Sequence, residues 1–241
     1  MHKLNSASGG GGCYIDFRAS NPPDLGVELT TQESESELLA DYKNVKYVHH
    51  YSLTLRDSKY QTETWTHLVP YPTETVSDFS AHDKDGHLMT RKTERPGNAR
   101  HTLLEVTFRR PIDATNPRYA FTFEYASPIE SIISNGFLGD SVTFYDWMIQ
   151  DTVTQSLKQT ITLPKGAVIR KFIPNLPSEQ RHNPIILQAG NIPANGLLSY
   201  MVSFSTRRLG SRFAVAVGSL FGTALLGALL RTLIEALLKK P

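Results

Sequence analysis

From Val45 to Thr206 apolar and polar side chains alternate with a period of two. That is the spacing of strands with one face buried and one face wet. The runs are Val45–Arg56, Tyr60–Val69, His101–Arg109, Arg118–Tyr125, Ser141–Ile149, Gln155–Leu163, Ala167–Ile173, Pro184–Gln188 and Leu197–Thr206. Val, Ile, Thr, Tyr and Phe dominate them, and turn-forming pairs such as Asp85-Gly86, Asn116-Pro117, Asn135-Gly136 and Asn195-Gly196 lie between them. Helical patterns do not alternate with these runs, which excludes a parallel α/β sheet and points to antiparallel pairing. Roughly ten strands in about 160 residues cover their inner faces most simply as a two-layer β-sandwich. An immunoglobulin-like arrangement is one such sandwich, although Cys13 is the only cysteine, so no disulfide pair marks it. No Ser/Gly linker divides the region near Ser127–Asp140, so 45–206 reads as one domain with a single core.

The N-terminal side differs. Four consecutive glycines, Gly9 to Gly12, make 1–30 a flexible lead-in. No apolar stretch precedes Cys13, so neither a secretory signal nor a lipoprotein signal is expected there. Between Asp24 and Tyr42 six acids occur with no Lys or Arg. The composition of TQESESELLADY, with Thr31 or Ser34 as N-cap and acids in the first turn, predicts a short acidic helix over 31–44.

At the other end, Phe213–Leu230 (FAVAVGSLFGTALLGALL) is eighteen residues without a charge. As a helix it approaches the roughly 18–20 residues that cross a bilayer, and nine Leu, Val and Phe contribute about −3 to −5 kcal/mol of insertion energy. A helix apolar all round is seldom a surface helix, so 207–241 is expected to be a membrane anchor. Ala214, Gly218 and Gly222 recur every four residues, the pattern that lets helix backbones approach in lipid, and predict a homo-oligomer through this helix. Arg207, Arg208, Arg212, Arg231, Lys239 and Lys240 flank it on both sides, so charge does not set its orientation. Without an N-terminal signal, a hydrophobic segment this close to the C-terminus predicts tail anchoring with the β domain cytosolic.

Reactive chemistry is thinly represented. His82-Asp83-Lys84-Asp85-Gly86-His87 concentrates metal-ligand types, but Ala81 and Lys92 stand where a calcium loop needs acids. A hairpin with a type I turn and Gly86 in the left-handed position explains it better, with His82 and His87 meeting across the strands. His49 and His50 point to opposite faces of one strand, while Trp65 and His67 share a face of the next. A histidine of the first strand opposite His67, with Asp57 in the turn between them, would form a metal or acid–base site if the strand register brought them together. Phe121, Phe123 and Tyr125 form one inner row. No nucleophile or zinc motif occurs, so neither a catalytic residue nor a cofactor is predicted.

The formal net charge is +2, with 25 Lys and Arg against 23 Asp and Glu, too balanced for a dedicated nucleic-acid binder. The sequence therefore predicts a non-enzymatic, membrane-anchored interaction or sensor module, its partners the lipid bilayer and a protein of unknown identity. The alternatives are a membrane-perturbing effector whose Gly-rich helix inserts and oligomerises, and, behind it, a hydrolase or metal enzyme using His49, His67 or the 82–87 turn.

Overall fold

The computed structural model describes residues 13–16, 26–95, 98–136, 139–149, 152–173, 182–194, 196–206 and 218–219. The fold is mainly β, in three sheets. A seven-stranded sheet runs in the order β14 (Ile185–Ile192), β12 (Thr154–Thr162), β2 (Val27–Leu38), β3 (Asn44–Leu55), β9 (Arg118–Pro128), β5 (Ser77–Asp83) and β6 (Gly86–His87). A five-stranded sheet holds β1 (Cys13–Asp16), β15 (Gly196–Thr206), β11 (Gly139–Ile149) and β10 (Glu130–Gly136), with β13 (Ala167–Ile173) also paired to β15. Three strands, β4 (Thr62–Val69), β8 (Asn98–Ile112) and β7 (Met89–Arg95), form the third.

Alternation along β3 and β9 decides how the sheets stack. Val45, Tyr47, His49, Tyr51 and Leu53 of β3 are buried together with Phe121, Phe123 and Tyr125 of β9, while Lys46, His50, Ser52, Thr122 and Glu124 face outward. Both smaller sheets cover that one inner face. From the three-stranded sheet Trp65 meets Tyr51 edge-on at 5.4 Å and His67 meets His49 at 5.3 Å, measured between ring centroids. From the five-stranded sheet Asp146 accepts a hydrogen bond from the Tyr47 hydroxyl at 2.8 Å. A single apolar cluster runs through all three sheets and includes Leu104 and Val106 of β8 and Phe144, Val202 and Phe204 of β11 and β15. Among the described residues no element covers the outer face of the seven-stranded sheet.

Three expectations need correction. Residues 31–38 belong to β2 and are not helical. Gln32, Ser34, Ser36 and Leu38 are buried while Glu33, Glu35 and Glu37 are exposed, a strict period of two that overrides the helical preference of the acids. Ser34, considered as a helix cap, instead hydrogen-bonds the His49 ring at 2.7 Å. Pairing is not wholly antiparallel either, because β2 and β12 run parallel with Gln159 beside Ser34. Finally, the expected flexible lead-in over 1–30 contains strand at Cys13–Asp16 and from Val27 onward. The layered β arrangement itself stands, built from one large sheet and two smaller ones.

Local chemistry closes the joints. In the β2–β3 turn one oxygen of Asp41 accepts hydrogen bonds from the backbone N–H of Lys43 and of Asn44, at 2.9 and 3.1 Å. Hydrogen bonds from Asn44 and these two amides hold its carboxyl below the ordinary value, against the opposing effect of burial. At the start of β2, Gly26 has φ +65°, and a Cβ there would stand 2.3 Å from Tyr60 carbons, so glycine is required twice over.

Trp65 is fully buried where the three-stranded sheet meets the seven-stranded one. The substitution W65A should remove about 3–5 kcal/mol of stability, read as a lower midpoint in chemical denaturation. A loss under about 1 kcal/mol would mean that the two sheets do not pack as described.

Candidate functional site

On the outer face of the seven-stranded sheet lies an open cleft of about 580 Å³. Its floor is one cross-strand row, since Glu33 pairs with His50, His50 with Thr122, and Thr122 with His82. Residues directly opposite in an antiparallel ladder share a face, so these four side chains line up across β2, β3, β9 and β5. His50 Nδ1 and Thr122 Oγ1 are hydrogen-bonded at 2.8 Å. Lys84, Arg110 and Arg118 supply positive charge to the walls and Glu33, Asp83 and Asp85 negative charge, so the cleft is balanced. Arg110 and Asp85 approach to 3.9 Å while both remain more than half exposed, an ion pair worth little in water.

The β5–β6 hairpin forms one wall, and a single carboxylate anchors it. Asp83 accepts hydrogen bonds from the Tyr119 hydroxyl at 2.5 Å, from the Arg109 Nε at 3.2 Å and from the Asp85 backbone N–H at 2.8 Å. Arg109 also donates to the His87 carbonyl at 2.7 Å. Burial acts to raise the Asp83 pKa, but these three donors outweigh it and hold the carboxyl below its ordinary value. The converse holds at Tyr119, which burial and the bond to Asp83 push up to about 12. Gly86 closes the turn at φ +120°, and a Cβ there would come within 3.2 Å of the Arg109 guanidinium.

Behind the cleft floor runs a buried polar seam. Tyr47 and Tyr200 both donate to Asp146, and the hydroxyls of Ser36 and Tyr200 are hydrogen-bonded at 3.2 Å. Gln159 donates to Ser36 at 3.0 Å and Gln32 to Ser34 at 3.1 Å. The seam continues through His49 to His67, whose Nε2 is hydrogen-bonded to the Tyr125 hydroxyl at 3.2 Å. Burial, with the neighbouring histidines, holds His49 well below its ordinary pKa, so the ring is neutral. Burial likewise raises Asp146, more than its bonds from Tyr200, Tyr47 and the Trp147 N–H lower it. A narrow crevice between the two smaller sheets, edged by Tyr71 and Trp147, reaches this seam.

The candidate residues read from sequence fall in three places. His82 and His87 are direct partners across the hairpin, with Asp83 opposite Gly86. His49 and His67 do meet, but across the gap between sheets and not along adjacent strands; among the described residues no group of three His, Cys, Asp or Glu is arranged to hold a metal ion. Gly218 is helical, exposed and has open space where a Cβ would stand, whereas Ala214, Gly222, Arg207, Arg208, Arg212, Arg231, Lys239 and Lys240 lie outside the described residues. Among the described residues no helix is long and apolar enough to cross a membrane. Asp146, Tyr200 and Gln159 were not anticipated. The signal was a polar side chain at a core position, since Asp146 follows Val142 and Phe144 at steps of two.

No protein-family model matches the chain, and no curated protein matches it. Solved structures similar to it include native leukotriene A4 hydrolase from Saccharomyces cerevisiae, with TM-score 0.47 and 8% identity over 77% of this chain and 32% of that one. The M1 zinc metallopeptidase from Deinococcus radiodurans is similar at TM-score 0.46 and 12% identity, over 75% of this chain and 43% of its own. This chain thus spans less than half the length of either enzyme.

Asp146 generates a pH prediction. Its pKa is raised by folding above the ordinary 3.8, so the folded state holds this proton more tightly than the unfolded chain. The resulting stability is fully present below the unfolded value and is lost as pH rises through the folded one. D146N, which cannot titrate, should therefore flatten the stability profile of the folded protein across mildly acidic pH. D146A should cost about 2–4 kcal/mol at the acidic end of that range, by leaving the Tyr47 and Tyr200 hydroxyls without their acceptor, and progressively less as pH rises. Chemical denaturation from about pH 4 to 7 measures both, and identical pH profiles for wild type and D146N would refute the assignment.

Proposed function

We propose that this chain is a non-enzymatic interaction or sensor module, a β-sandwich head held at a bilayer by a C-terminal helix. The cleft on the seven-stranded sheet is the surface that receives a protein segment or a small polar ligand. The observation that carries this reading is the cross-strand row Glu33–His50–Thr122–His82 at the floor of an open cleft. A concave surface with a few convergent polar groups is where ligands are ordinarily held. Charge balance in its walls favours an uncharged or zwitterionic polar ligand over a polyanion such as nucleic acid. Attachment to the membrane is supported by the uncharged run Phe213–Leu230, and Ala214, Gly218 and Gly222 would pair copies of the helix.

The full chain should float with lipid vesicles and resist extraction by salt. The double substitution L220R/L225R should move it to the soluble fraction, because each arginine near the centre of a spanning helix costs about 2.5–3.5 kcal/mol. A wild-type chain that stays in the supernatant, monodisperse without detergent, would end the anchor reading. Dye release from the vesicles by wild type but not by L220R/L225R would favour the membrane-perturbing alternative. A photo-crosslinking residue placed at Thr122 should capture a discrete partner in cells, and one at Lys59, outside the cleft, should not; equal capture at both would remove the cleft from the proposal.

A further inference from the structure

We infer that the outer face of the five-stranded sheet rests on the surface of a bilayer bearing anionic headgroups. This inference builds on the anchor reading and adds the surface by which the head meets the lipid. The face is defined by register. A bulge between Ile169 and Lys171 breaks the alternation of β13, and as a result Val168 stands opposite Ser205, Lys171 opposite Ser203 and Ile173 opposite Met201. Arg170, at the bulge, turns to the same side and donates from Nε to the Ser205 hydroxyl at 3.1 Å. One irregularity thus gathers two cations and two branched apolar side chains on one face.

The row continues from Ile173 through Met201 to Tyr145, and Ile132 lies on β10 opposite Thr143, diagonal to Tyr145. Exposure there is high for apolar side chains: 65% for Ile132, 43% for Tyr145 and for Ile173, 37% for Val168. On the opposite side of the same strands Val142, Phe144, Phe172, Val202 and Phe204 fill the core, so the oily outer residues are additional to those that folding buries. Among the described residues of these rows the acid is Glu130, at the outer edge on β10. Aliphatic and tyrosine side chains beside lysine and arginine suit the boundary between acyl chains and phosphates, where apolar groups leave water and cations meet anionic headgroups.

Continuity of the chain argues for lipid over a second copy as the occupant. β15, at the centre of this face, ends at Thr206, and Arg207, Arg208 and Arg212 lead to the uncharged run that begins at Phe213. Those seven steps reach at most about 25 Å when fully extended. Whenever the run lies among acyl chains, the end of β15 is therefore held near the headgroups.

The test uses the full chain with Cys13→Ser and one new cysteine, I132C, I173C or T122C, carrying an environment-sensitive fluorophore. Each is bound to phosphatidylcholine vesicles with or without phosphatidylserine and with a quencher attached to lipid. Labels at 132 and 173 should be quenched, more strongly with phosphatidylserine, and the label at 122 should not be. R170E/K171E should lose the quenching at 132 and 173 while the protein still floats. Outer-face labels as wet as that at 122 on floating protein would overturn this inference and leave the anchor standing. Labels at 132 and 173 shielded equally in detergent without lipid would overturn it in favour of a second copy. Failure of the protein to float would refute the anchor reading itself, and this inference with it.

Discussion

Two tyrosine hydroxyls, from Tyr47 on the seven-stranded sheet and Tyr200 on the five-stranded sheet, converge on the carboxyl group of Asp146. Much else depends on that meeting. Apolar packing is not directional and would let one sheet slide over another, whereas a buried carboxyl with specific donors permits one register. Tyr200 also meets Ser36, and Ser36 receives Gln159 from β12, so the chain of hydrogen bonds reaches across β2. The cost of burying these groups is offset only while each keeps its partners. The seam therefore specifies how the layers stack more than it adds to their stability.

That stacking shapes the cleft indirectly. Side chains of β3 and β9 that face the seam hold the sheet from behind, and their neighbours one residue along form the cleft floor. His49 and His50 show the division. His49 is buried, bonded to Ser34 and kept neutral, while His50 lies in the cleft, bonded to Thr122. Asp83 plays the corresponding part at the rim, where Arg109 and Tyr119 hold the hairpin that walls the cleft.

Much of this was legible as period two. All nine predicted runs are strands, and Phe121, Phe123 and Tyr125 share the inner face as their spacing requires. The hairpin at Asp83–Gly86 followed from Asp-Gly, and His82 lies opposite His87 as the turn geometry demands. β2 carries the same period in TQESESEL, but its inward residues are Gln and Ser, which hydropathy does not count as core. Only their partners, His49, Tyr200 and Gln159, make that strand face a buried one, and partners are a property of the fold. β7 was invisible for a different reason: none of Met89–Arg95 is buried, so no alternation exists to be read. Side chains on Ile132 and Ile173 were equally silent, because period two says which residues share a face but not whether that face is covered.

Layering then links the two outer faces. The inner side of the five-stranded sheet is pinned to the inner side of the seven-stranded one by Asp146 and its tyrosines, so their outer sides necessarily look away from each other. One carries Ile132, Tyr145, Ile173, Arg170 and Lys171; the other carries the cleft with Glu33, His50, Thr122 and His82. A head resting on lipid by the first face presents the second to water, pointed away from the bilayer. The opposite orientation would bring Glu33, Glu35 and Glu37 of β2 toward the headgroups together with Lys158 and Lys46, their cross-strand partners at Glu33 and Glu37, so that face offers lipid no net attraction comparable to the uncompensated Arg170 and Lys171. The acidic stretch that looked like a helix is thereby one half of a charge-balanced face, and the other sheet's outer face carries the unbalanced cations and exposed apolar side chains that suit lipid.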